Sequence, residues 1–298
     1  MGNDMTETVN QGYIEFPADW EYLESNNVGP FVTRVVYRTP DGQIDARTSR
    51  RHRKGFGTEV FARVEAAKKE RPTLFLWRPR SLNWWITVLF MIGSWHFVSG
   101  SILVLVGSTN TFLINLVYFS GSIFFTSAGY SQYYQSINAP ESLASAASSK
   151  RRYFGWQPHR IDFWATFPQF LGTLEFNIST LMAYASVHWL GYDILVWIPD
   201  YVGSILFLIS GFAGVFEFCH RFWCRQTKSL TWWIVWINFL GCVAFMVSAI
   251  VAFVRPNPIF DNLATWATIF TLIGAVCFLV GAYLMWPEMG AEEKADGH

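Results

Sequence analysis

The sequence predicts an all-α membrane protein. Six transmembrane helices form three pseudo-repeated helical hairpins behind a small cytoplasmic N-terminal region. Three observations carry that prediction. The 298-residue chain is 52% hydrophobic and 18% aromatic but only 15% charged, well below the roughly 25% charged of soluble domains. It holds six apolar runs, near 83–106, 112–134, 163–186, 199–220, 231–254 and 264–286, each close to the ~20 residues a helix needs to cross a bilayer. One short frame, Gly-small-x-x-Phe, stands once in each run: GSWHF at 93, GSIFF at 121, GTLEF at 172, GSILF at 203, GCVAF at 241 and GAVCF at 274.

The N-terminal region is assigned to residues 1–76. Its first 30 residues are acidic and lack an apolar core, so no signal peptide is expected there. The stretch PFVTRVVYRTPDGQIDARTSRRHRK reads as strand, Pro-Asp-Gly turn, strand and basic cluster. TEVFARVEAAKKE, 58–70, reads as a helix with Val60, Phe61 and Val64 on one side. The basic cluster of Arg50, Arg51, Arg53 and Lys54 is expected to be a solvated face beside the membrane. Membrane lipids are the expected partners and self-association is open; no nucleic acid is expected.

The hairpins are assigned to 77–135, 156–222 and 223–287. A flexible cytoplasmic linker at 136–155 contains ESLASAASSK, and a tail covers 288–298. The odd-numbered spans open alike, with RPRSLNWW at 78–85, QPHRIDFW at 157–164 and QTKSLTWW at 226–233. Asn83, Asp162 and Thr231 read as helix N-caps. The aromatic pair after each suits a membrane interface.

Lysine and arginine alternate from loop to loop. Thirteen precede the first span. Lys150, Arg151, Arg152 and Arg160 fill the second basic loop, and Arg221, Arg225 and Lys228 the third. The intervening loops carry only Arg255. This positive-inside pattern places both termini in the cytoplasm.

At about 100° per residue, frame positions +3, +4 and +7 share a side with the glycine. Position +4 is always Phe, and +7 is always small: Gly100, Ala128, Ser179, Ser210, Ser248 and Gly281. Helix association in lipid rests on close packing and hydrogen bonds. Gly93, Gly121, Gly172, Gly203, Gly241 and Gly274 are therefore assigned to a helix-packing seam. The repeated Gly-Ser-x-x-Phe inside paired spans resembles the YrhK-like family of bacterial membrane proteins. The resemblance covers roughly 77–287; that family's unit is a single hairpin, and this chain would hold three. It implies a bacterial plasma (inner) membrane location and transfers no catalytic residue.

Position +3 also faces the seam and holds His96 and Glu175 in the first and third spans. Intramembrane ionisable groups are costly and usually paired. With Asn177 and Ser179, they read either as a proton or ion relay or as a hydrogen-bonded pair that fixes helix register. If the first and third spans are neighbours, the two side chains meet.

The four cysteines, 219, 224, 242 and 277, read as reduced and apolar. Cys219, His220 and Cys224 form a weak metal candidate. Haem ligation by His96, His188 or His220 lacks a convincing facing pair, and no cofactor is assigned. No phosphate loop, nucleophile elbow, zinc-protease helix or dinucleotide fingerprint occurs, which disfavours an enzyme. Two function classes remain: a pathway for a small solute, ion or proton, and a non-transporting structural or interaction protein that binds lipid or partner subunits. A pathway calls for a water-accessible cavity reaching Glu175.

Overall fold

The computed structural model of the chain describes residues 19–57, 59–60, 75–140, 150–184, 189–253 and 262–296. The chain is mostly helical and begins with a small antiparallel sheet. Strands β1 (Glu21–Val28), β2 (Phe31–Arg38), β3 (Ile44–Thr48) and β4 (Glu59–Val60) lie in chain order. Gly29 and Gly42, at φ 55° and 79°, turn the chain between the first three strands, in backbone conformations that suit glycine. The expected hairpin corresponds to β2 and β3; β1 and β4 were not anticipated. Of the helix expected over 58–70, Glu59 and Val60 form β4, pairing with Ala46 and Asp45. The remaining positions lie outside the described residues. After β3 comes α1 (Ser49–Arg53), a single basic turn.

Among the described residues six long helices follow: α2 (Leu82–Leu105), α3 (Thr111–Asn138), α4 (Ile161–Met182), α5 (Ile198–Cys219), α6 (Leu230–Val251) and α7 (Leu263–Asp296). A helical turn at Trp189–Tyr192 and a π-helical turn at Asp193–Trp197 lead into α5. Five of these helices are long and apolar enough to cross a membrane, α5 being counted with its leading turn from Leu190. The chain is thus a multi-pass membrane protein. The exception is α4, whose apolar run is interrupted by Asp162, Gln169, Glu175 and Asn177. Residues assigned to a tail at 288–298 instead continue α7 as far as Asp296.

The helix starts also differ from expectation. The N-caps are Ser81, Arg160 and Ser229, two residues ahead of Asn83, Asp162 and Thr231. Those three side chains have other partners. Asn83 Nδ2 donates to Lys54 O at 2.9 Å, Asp162 pairs with Arg160, and Thr231 bonds Glu288. The aromatic pairs make a common anchor. Trp85, Trp164 and Trp233 each donate Nε1–H to the carbonyl six residues back, at 2.8, 2.9 and 3.0 Å.

Each long helix packs on its neighbours in chain order, and α7 packs on α2 to close a ring. Glycines bring the helices of three pairs together. A methyl group added at Gly93 would sit 3.1 Å from Gly121 O and 3.2 Å from Phe125. At Gly172 it would sit 2.8 Å from Phe207 and 2.9 Å from Gly203 O. At Gly241 it would sit 3.0 Å from Phe278. Each glycine is thus a notch for the partner's phenylalanine. The six rings, Phe97, Phe125, Phe176, Phe207, Phe245 and Phe278, are all buried in one central cluster. Centroid separations run from 5.0 Å for Phe176–Phe207 to 6.4 Å for Phe207–Phe245. Aromatic contacts of this kind contribute about 0.5–1.5 kcal/mol each beyond area burial.

Other contacts, both between the pairs and within one of them, are more polar. Asn177 Nδ2 donates to Thr126 Oγ1 at 2.8 Å, and Ser122 and Thr180 hydroxyls meet at 3.1 Å, tying α4 to α3. Ser210 donates to Ala165 O at 2.7 Å between α5 and α4. Ring-outward positions such as Trp95, Ile102, Phe112 and Leu240 are exposed and apolar, as lipid contact requires.

Overpacking of such a seam typically costs about 1–3 kcal/mol. Gly172→Ala should therefore lower the unfolding midpoint of the detergent-solubilised protein. Gly214→Ala, where nothing beyond the local helix backbone lies within 4 Å of the added carbon, should be neutral or raise it. Equal effects at the two sites would contradict the notch assignment.

Candidate functional site

Between the phenylalanine cluster and the sheet lies an axial chamber of about 90 Å³. All six long helices and α1 contribute to its wall. The volume exceeds the ~10–15 Å³ one water needs by severalfold. Amides make the wall polar: Asn83 of α2, Gln132 and Gln135 of α3, Gln169 of α4 and Asn238 of α6. Phe90 and Phe278 stand on the side of the ring cluster. Gln135 Nε2 donates to Asn83 Oδ1 at 2.8 Å, and Gln169 accepts from Ser210 at 3.5 Å.

These residues share a register. Three residues before the frame glycines of α2, α4 and α6 stand Phe90, Gln169 and Asn238; eleven after those of α3, α5 and α7 stand Gln132, Gly214 and Met285. All six line the chamber. Fourteen after the second set of glycines stand Gln135, Glu217 and Glu288. The stripe that makes the seam, continued by whole helical turns, thus makes the chamber and then its mouth.

The mouth is closed by charge. Glu217 is fully buried and Glu288 is 3% exposed. Arg53 presents Nε and Nη2 to the Glu217 carboxylate, each at 3.3 Å, and Ser49 Oγ donates to it at 3.0 Å. Arg50 Nη2 donates to Glu288 at 3.2 Å, and Lys54 Nζ bridges Glu288 at 2.6 Å and Glu292 at 3.1 Å. Burial works against the Arg50 cation, but Glu288, Glu217 and Glu292 outweigh it and raise its pKa above the usual arginine value. Three cations of the basic cluster therefore meet three carboxylates in a largely dry site. The expectation of a solvated basic face is corrected: Arg53 is 7% exposed, because the carboxylates of α5 and α7 draw it inward. Arg50 Nε is buried, with no hydrogen-bond partner among the described residues. Native structures rarely leave such a donor unsatisfied, so a water or ligand is the natural acceptor.

The residues singled out in the sequence fall elsewhere. His96 is half-buried on α2, donates Nδ1–H to Ile92 O at 2.8 Å and lies against Phe124. Glu175 is half-buried on α4, with no hydrogen bond to His96. The two helices are separated in the ring by α3, which packs on both, so the pair is not brought together. Asn177 and the buried Ser179 belong to the α4 seam, and neither these two nor Glu175 lines the chamber.

Cys219 and Cys224 form a disulfide, while Cys242 and Cys277 are free. This corrects the reduced reading for the first pair: the turn after α5, with His220 at φ 55°, brings the two α-carbons within 5.4 Å. Bridged sulfurs are not thiolate ligands, and among the described residues no group of three His, Cys, Asp or Glu side chains is placed to hold a metal. His188 lies outside the described residues. His96 and His220 stand on α2 and beyond α5, which are not ring neighbours. No family model, curated protein or solved structure matches the chain.

Removing one partner of a buried ion pair costs about 3–5 kcal/mol, because it strands the other charge. Glu217→Leu alone should destabilise the solubilised protein by that order, and adding Arg53→Met should recover much of the loss. A double-mutant cycle on unfolding midpoints measures this. Additive losses would show that the two side chains do not depend on each other.

Proposed function

We propose that the chain is a three-hairpin, six-span membrane protein, related to the YrhK-like proteins of the bacterial plasma membrane. Its axial chamber takes up a small polar solute or ion from the cytoplasmic end. The carrying observation is the chamber itself, an amide-walled space to which every long helix contributes, lined also by Arg50, whose Nε has no hydrogen-bond partner among the described residues. A core built only for packing has no use for five amides around a void. In this reading α4 spans the membrane too, its polar residues shielded by α3 and α5. The lysine and arginine pattern puts the sheet and both termini in the cytoplasm. The phenylalanine cluster is then the barrier between the chamber and the far side, and the Arg50–Arg53–Lys54 cluster is the inner lid.

Liposomes holding the purified protein test the reading with urea, glycerol and protons as probes. At least one should cross faster than through protein-free liposomes. Phe278→Ala should raise that flux severalfold by thinning the barrier, and Asn238→Leu should lower it with the folded yield unchanged. Glu175→Gln should leave it unaltered, since Glu175 stands outside the chamber lining. If folded wild-type and Phe278→Ala proteins both match empty liposomes for all three probes, the non-transporting reading replaces this one.

A further inference from the structure

Three segments, 75–80, 150–156 and 221–228, lead into α2, α4 and α6 at the end of the bundle that carries the sheet. Those helices alternate around the ring with α3, α5 and α7. Each segment lays a tryptophan against the helix it precedes. Trp77 meets Trp84 of α2 at 5.0 Å, Trp156 meets Phe163 of α4 at 5.2 Å, and Trp223 meets Trp236 of α6 at 4.3 Å between ring centroids. These tryptophans nevertheless stay 63%, 67% and 66% exposed. Beside them in the chain, Phe75, Phe154 and Phe222 are exposed as well. Paired rings so exposed, repeated on three sides of the bundle, mark a contact surface.

The same segments are basic. Two, three and three Lys or Arg side chains stand in them, all exposed, with no Asp or Glu among them. Arg78 pairs with Glu293 of α7 at 3.2 Å. The others make no ion pair among the described residues. Each segment thus sets exposed aromatic rings beside exposed cations.

We infer that the three segments form a belt that binds anionic phospholipid, with the rings seated in the interface and the arginines on the head-group phosphates. Tryptophan favours that depth because its ring is apolar and its N–H is polar. Guanidinium forks match phosphate geometry, and basic residues beside a membrane are drawn to anionic lipid. Packing against the helix orders each tryptophan before lipid arrives, so less side-chain freedom is lost on binding. A single partner protein would cover one side of the bundle. Segments ahead of α2, α4 and α6 face three sides, as a surrounding bilayer does. The belt is independent of the axial chamber, and it holds whichever side of the membrane the sheet faces.

The test uses the full chain, delipidated in a neutral detergent and titrated with phosphatidylglycerol or phosphatidylcholine. Phosphatidylglycerol should raise the unfolding midpoint saturably. Phosphatidylcholine should match it only at a severalfold higher mole fraction. Removing one charge from each segment, with Arg80→Gln, Arg151→Gln and Arg225→Gln combined, should raise the half-saturating phosphatidylglycerol fraction about fivefold. Lysine at the same three positions should raise it less. All three side chains are exposed, so the lipid-free midpoint should stay near that of wild type. Equal responses to the two lipids, or a phosphatidylglycerol response that the triple variant keeps unchanged, would overturn the assignment. So would self-association in detergent that Phe154→Ser with Phe222→Ser abolishes, which would give the rings to a second copy of the chain.

Discussion

The structure depends on one contact repeated in antiparallel pairs: a glycine that lets a partner helix approach and a phenylalanine that fills the space so made. Lipid tails are as apolar as leucine side chains, so burying a ring gains little by escape from water, and association rests on close fit and hydrogen bonds. With Gly203 O within 2.9 Å of a methyl placed at Gly172, the backbones are nearly as close as they can be. The phenylalanine four residues along each helix then points to the ring axis, where six such rings meet. Closing the ring from α7 back to α2 leaves none of the six helices without two packed neighbours.

The polar features follow from what that contact leaves undone. Toward the sheet the stripe no longer carries phenylalanine at every step, and Gln132, Gln169 and Asn238 stand around the axial space. A turn farther, Gln135, Glu217 and Glu288 occupy matching positions. Two carboxylates at the mouth of an apolar bundle need compensation, and α1 with the residue that caps it supplies Arg53, Arg50 and Lys54. The N-terminal sheet is thus held to the bundle by charges that neither part could bury alone.

The seam was legible in the sequence because helical periodicity is local: Gly, Phe at +4 and a small residue at +7 lie on one side of any helix. The chamber was written in the same register, since Gln169 and Asn238 stand one turn before their glycines, and the signal lay in extending the stripe past the frame. The ionic mouth was not legible. Arg53 and Glu217 are 164 residues apart, and a run of basic residues looks the same whether solvated or docked. The expected meeting of His96 and Glu175 failed for a topological reason: equal depth does not make neighbours, and the ring order inserts α3 between them. The caps were misplaced by two residues because Asn83 and Asp162, good cap formers, serve Lys54 and Arg160 instead.

The most direct test of the glycine–phenylalanine contact is a double-mutant cycle on Gly241→Ala and Phe278→Leu, read as unfolding free energy in mixed micelles. The atoms nearest a methyl at Gly241 belong to side chains, Phe278 at 3.0 Å and Cys277 at 3.2 Å, so shrinking the ring can relieve the clash. Coupling between contacting residues runs to about 0.5–3 kcal/mol. The double variant is predicted to be more stable than the sum of the single losses implies, by about 1 kcal/mol. Strict additivity would mean that the glycine does not seat the ring, and would contradict the account of how this bundle is held together.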